Sequence, residues 1–120
     1  MNYLAIMLAV CVIAAGQIIF KHAARTLVGL SGDTFSIIEL IRLNLAPLSW
    51  IALALSAYGL STIAWIYALR YTPLSVAYMF NALAFIIIPI ASSAIFDESL
   101  SRSFFLGASL IAAGIVITTI

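Results

Sequence analysis

Gln17, Lys21 and Arg25 follow one another at intervals of four residues, so on a helix they lie along a single stripe, with Ile13 one turn deeper. The stripe grades from an aliphatic side chain to an amide, an ammonium and a guanidinium. Such a gradient can hold an anionic group at a membrane surface by charge-assisted hydrogen bonds while an attached tail remains in lipid. The plainer reading is structural: Lys21 and Arg25 snorkel to headgroups at a helix end, and Gln17 hydrogen-bonds a neighbouring helix. Tyr78 and Asn81, three apart and with Ser75 on the same side, form a second polar edge. Such groups in an apolar helix face other helices or a cavity.

The chemistry within reach is binding rather than bond-making. The sequence shows no nucleophile–base pair, no cluster of metal-ligand types and no glycine-rich phosphate loop, so no catalytic residue, metal or cofactor is expected. His22, the one histidine, adjoins Lys21 and reads as a headgroup contact. Cys11, the one cysteine, has no partner for an intrachain disulfide and reads as a small packing residue.

The elements that must carry these residues follow from composition. Of 120 residues, 66% are hydrophobic and 8% charged, which is the composition of an integral membrane protein. Five basic and four acidic residues are scattered and sum to +1, leaving no basic patch for a nucleic-acid backbone. The first apolar stretch lacks the positive start of a secretory signal and is too long for one, so it is expected to remain as a span.

Four transmembrane helices are expected, at about 3–25, 48–70, 73–96 and 102–120, each able to cross a hydrocarbon core of about 30 Å. They form one antiparallel bundle in a single domain covering 1–120. Thr72-Pro73 and Ser101 punctuate the helix starts, as does Pro47. The exceptional connection is an amphipathic segment at about 34–45, expected as an interfacial helix or an extension of the second span. Lys21, Arg25, Arg42 and Arg102 lie on one side of the bundle against Arg70 on the other, which orients the first and third connections to the cytoplasm.

Asp33, Glu39, Asp97 and Glu98 all fall in or beside connections. Exchange of protons for a lipophilic cation needs a carboxylate inside the bilayer, and the spans contain none. Pro89 is expected to kink the third span, and Ser92 and Ser93 to satisfy backbone carbonyls. Trp50, Trp65, Tyr67 and Tyr71 read as an aromatic belt without chemistry. In the last span Gly107, Ala108, Ala112 and Gly114 make a small-residue stripe, a candidate dimer seam or a close contact within one protomer.

"AAGQIIFKHA" at 14–23, "WIYALRYTPLSVAY" at 65–78, "FDESLS" at 96–101 and "GASLIAAGIVI" at 107–117 resemble the drug/metabolite transporter superfamily in its minimal four-helix form, small multidrug resistance-like or EamA-like. In the small multidrug exporters a membrane-embedded glutamate precedes the first-helix glycine by three positions, and a tryptophan follows the third-helix tyrosine by three. Here those positions hold Ile13 and Asn81, although Tyr78 matches. The other branch, the Arn-type flippase subunits for undecaprenyl phosphate carrying 4-amino-4-deoxy-L-arabinose, is similar at Gly16, Gln17 and Lys21 and at the acidic turn that contains Glu98.

The resemblance implies a subunit that translocates an undecaprenyl phosphate-linked sugar across the bacterial inner membrane. Lys21, with Arg25 or Arg102, would pair with the lipid phosphate, and Gln17, Tyr78 and Asn81 would bond the headgroup. One four-helix unit has too few walls for a closed pathway, so a homodimer or a heterodimer with a similar subunit is expected. The alternatives are a proton-coupled exporter of small amphiphiles, working through Asp97 or Glu98 at a helix end, and a non-transporting accessory subunit of a lipid-modifying enzyme.

Overall fold

The computed structural model describes residues 3–29 and 36–120. Four crossings are helical and apolar enough to span a membrane: α1 (Tyr3–Thr26), α3 (Leu45–Leu69), the pair α4 (Leu74–Asn81) and α5 (Ala84–Phe96), and α6 (Arg102–Thr119). A short helix, α2 (Ile37–Leu43), precedes α3. The described residues form no strand.

α1 packs most extensively on α3 and then on α5 and α4, while α6 leans on α4 and α5. The α1–α3 contact is antiparallel and made of small side chains: Ala9, Ala14, Gly16 and Ala23 on one helix and Ala54, Ser61 and Ala68 on the other are all buried. Small residues allow two backbones to approach without a hydrophobic drive from water. The Ser61 hydroxyl donates to the Ala9 carbonyl at 3.4 Å across this seam. The buried hydrophobic cluster gathers Ile6, Val10, Ala68, Ala77 and Ala84, with Trp65, Phe80 and Ile87 against them. It lies near the start of α1, so Lys21 and Arg25 stand at the opposite end.

The third crossing loses regular winding at Ala82 and Leu83, where the Leu83 amide donates to Phe80 at 3.1 Å and the Phe85 amide to Ala82 at 3.0 Å. These are tightened, three-residue bonds. α5 continues through Pro89, so the irregularity precedes the proline rather than falling on it. The proline ring crowds the carbonyl four residues earlier, at Phe85, which directs the disturbance toward the N-terminal side. The residue before the tightened turn is Asn81.

α2 starts from a reciprocal cap: the Ser36 hydroxyl accepts from the Glu39 amide at 3.3 Å, and the Glu39 carboxylate accepts from the Ser36 amide at 2.9 Å. None of its residues is buried. It stops at Asn44, whose side chain is fully used. Its oxygen accepts from the Val28 amide at 2.8 Å, and its NH2 donates to Val28 and Leu40 carbonyls at 3.0 and 2.8 Å. Asn44 thereby ties the end of the first connection to the α2–α3 junction. Thr34 and Phe35, the first residues of the expected amphipathic segment, and Asp33 lie outside the described residues.

At the end of α5, Asp97 adopts the left-handed conformation at φ 55°, the only described non-glycine residue with positive φ. This turn folds the next residue back over the helix, where the Ser93 hydroxyl donates to the Glu98 carbonyl at 2.6 Å. Ser101 then caps α6, accepting from the Phe104 amide at 3.2 Å.

Candidate functional site

α1 supplies a continuous polar face because its turns place Ile13, Gln17, Lys21 and Arg25 in one row. The Gln17 side-chain NH2 donates to the Tyr58 hydroxyl at 2.9 Å, and that hydroxyl donates to the Ile13 carbonyl at 3.1 Å. The Tyr58 ring lies over Gly16, where a Cβ would overlap it, and stacks on Phe20 with centroids 5.7 Å apart. Glycine at 16 is therefore what lets a phenol from α3 reach the α1 backbone.

Beyond Tyr58 the same face opens into a cavity of about 190 Å³ lined by Ile13, Tyr58, Ser61, Thr62, Trp65, Tyr78 and Asn81. Trp65 meets Tyr78 edge to face, with centroids 6.0 Å apart. The Asn81 side-chain oxygen is buried and accepts no hydrogen bond. An unsatisfied buried acceptor costs about 1–3 kcal/mol.

Toward the end of α1 the row meets the turn after α5. Lys21 forms an ion pair with Glu98, and its ammonium lies 3.5 Å from the Ser92 hydroxyl. Ser92, which is buried, donates to the other Glu98 oxygen at 2.5 Å. Lys21 and Arg25 both stand over the Phe96 ring, 5.2 and 5.3 Å from its centroid, so two cations share one aromatic ring. The side chains of Lys21 and Glu98 remain 36% and 45% exposed. An ion pair so accessible contributes about 0–1 kcal/mol, and exchanging its partners is inexpensive.

Of the residues singled out by sequence, the structure brings Tyr78 and Asn81 together in the cavity, joins Gln17 to it through Tyr58, and sets Lys21 and Arg25 beyond. Arg102 is exposed at the start of α6 and is not joined to this network. Trp65, read as belt, lines the cavity; Ser93 satisfies a backbone carbonyl as expected, that of Glu98, whereas Ser92 donates to the Glu98 carboxylate. Cys11 is exposed rather than packed inside the protomer. His22 meets Trp50 edge to face at 5.9 Å. Tyr58 and Phe96 were not legible as site residues, although a lone phenol midway along the second apolar span was a signal.

Four spans, a cavity lined by hydrogen-bonding groups and cations gathered at one end define a small polytopic membrane protein of the transporter type. Among its relatives, a protein of Enterobacter sp. (strain 638) is 30% identical over 117 residues, covering 98% of this chain and 95% of the relative. One of Sodalis glossinidius is 29% identical over 116 residues, covering 97% and 95%. One of Klebsiella pneumoniae is 36% identical over 70 residues, 58% of this chain and 62% of its own. Each bears the name "probable 4-amino-4-deoxy-L-arabinose-phosphoundecaprenol flippase subunit ArnE". The chain belongs to this family of ArnE flippase subunits. No family model and no solved structure matches it.

Proposed function

We propose that this chain is one subunit of a flippase that moves 4-amino-4-deoxy-L-arabinose, linked through phosphate to undecaprenol, across the bacterial inner membrane. The observation that carries the reading is relationship along nearly the whole chain to proteins named for that activity. The site supports it in chemical terms. Lys21 and Arg25 provide two cations at a membrane-facing end, suited to a phosphodiester whose polyprenyl tail stays in lipid. Gln17, Tyr78 and Asn81 bond the sugar as it passes the cavity, and Arg102 meets the phosphate from the surface. The hydroxyls of Tyr58, Thr62 and Tyr78 around the cavity fit a polyhydroxylated headgroup better than an apolar drug.

The relatives are named subunits, and a second subunit completes the pathway. Its seat is the α6 face at Gly107, Ala108, Ala112 and Gly114. Among the described residues, a Cβ added at Gly107 or Gly114 would meet no atom of another element within 4 Å, so these glycines serve no close contact there.

The test is native mass spectrometry from gentle detergent with added undecaprenyl phosphate. Wild-type protein is expected to retain the lipid, and Lys21→Ala to lose at least about tenfold in affinity, the scale of a charge-assisted hydrogen bond. Equal retention by both would remove Lys21 from the mechanism, and no retention by the wild type would count against the flippase reading.

A further inference from the structure

The geometry points to Glu98 as the group that recognises the amine of the headgroup, through an exchange of ion-pair partners with Lys21; this rests on the flippase reading. Glu98 is held more firmly than charge balance requires. The left-handed Asp97 turns it back over α5, the buried Ser92 donates to one carboxylate oxygen at 2.5 Å, and Ser93 pins its backbone carbonyl at 2.6 Å. All three anchors come from its own crossing. On α1 it pairs with Lys21, the cation assigned above to the phosphate.

When a phosphate engages Lys21, the carboxylate keeps its place and loses its counter-ion. A 4-amino-4-deoxy sugar joined to phosphate at C1 brings both replacements. Its phosphodiester pairs with Lys21 and Arg25, and its ammonium, across the same pyranose ring, pairs with Glu98. Glu98 meets the one ammonium, and the single negative charge of the phosphodiester is shared between Lys21 and Arg25. A bare polyprenyl monophosphate carries more negative charge and no ammonium, so it meets the same carboxylate as a repulsion. Glu98 thus raises selectivity for the amine-bearing lipid over the naked carrier. No proton need move and no covalent bond changes.

Affinities would be measured with the full chain in nanodiscs, together with its partner subunit where one copurifies. The probes are undecaprenyl phosphate, its 4-amino-4-deoxy-L-arabinose conjugate and the same conjugate with the amine formylated. The wild type is expected to prefer the free amine to the formylated lipid by about tenfold, the range of one charged hydrogen bond. Glu98→Gln should erase that preference, weakening the amine lipid while tightening undecaprenyl phosphate, and Glu98→Asp should restore part of it. Equal loss for all three lipids in Glu98→Gln would reduce Glu98 to a support of the turn. Equal gain for all three would make it a simple competitor for Lys21. Either result overturns the assignment, as does a wild type indifferent to formylation, a result that requires no variant to fold. A wild type that binds none of the lipids would sink the flippase reading itself.

Discussion

Tyr58 shows how much of the site hangs on one residue without charge. Its hydroxyl links the Gln17 amide to the Ile13 carbonyl, and its ring fills the space that glycine leaves at position 16. Gly16→Ala is therefore expected to displace the ring, break the bond to Gln17 and destabilise the protein by about 1–3 kcal/mol, the usual penalty for overpacking. Gly59→Ala is the matched control, because a Cβ there meets nothing within 4 Å; it should be neutral or slightly stabilising, as alanine is the better helix former. Thermal unfolding of the two variants in one detergent checks both expectations. Equal melting temperatures would show that the ring moves aside without loss. Gly16 was legible in sequence as part of a motif, but its need to be glycine was not, since the atom that would clash belongs to another helix.

Helix α2 carries the element whose response to pH can be stated. Hydrogen bonds from the Ser36 backbone and then from its hydroxyl hold the Glu39 carboxyl below the usual glutamate range, against a smaller opposing effect of burial. A carboxyl depressed in the folded state stabilises above its unfolded value, and that contribution disappears as pH falls through the folded one. The start of α2 is thus expected to be fully capped at neutral pH and to loosen only in acid below the ordinary glutamate range. Hydrogen exchange of residues 37–43 measured on both sides of that range would show it. Glu39→Ala should exchange fast at every pH, and protection unchanged by acid in the wild type would mean that the cap is unimportant. The capping pattern could be read from Ser36 and Glu39, three residues apart. The lock at Asn44 could not, because its partner Val28 lies 16 residues away.

The whole molecule is a slab, with principal extents of 56, 37 and 20 Å. Its thinnest dimension is about two helix diameters, so it cannot enclose a headgroup on all sides. α6 is its most exposed crossing, with 6% of its apolar window buried against 28% for α1. Replacing Gly107 or Gly114 by leucine is expected to leave the protomer's own melting temperature nearly unchanged while weakening association at least about tenfold, since small residues permit close helix approach in lipid. Native mass spectrometry across a concentration series separates the two effects. A protomer that unfolds with the substitution, or a dimer that survives it, would place the partner's seat elsewhere.

Sequence by itself determined the number of crossings, the absence of an acid in the middle of any of them, and the row of Gln17, Lys21 and Arg25. All three depend on distances along one chain segment, where hydropathy and the 3.6-residue turn suffice. Tertiary structure alone decided what each row faces. Lys21 meets Glu98 across 77 positions, and Tyr58 reaches Gln17 across 41. α3 is apolar nearly all round, so no local pattern fixes its rotation about its own axis. That rotation is set by the small-residue seam with α1. The same is true of Ser92, which reads as one more hydroxyl in an apolar span until the left-handed turn at Asp97 returns Glu98 to it.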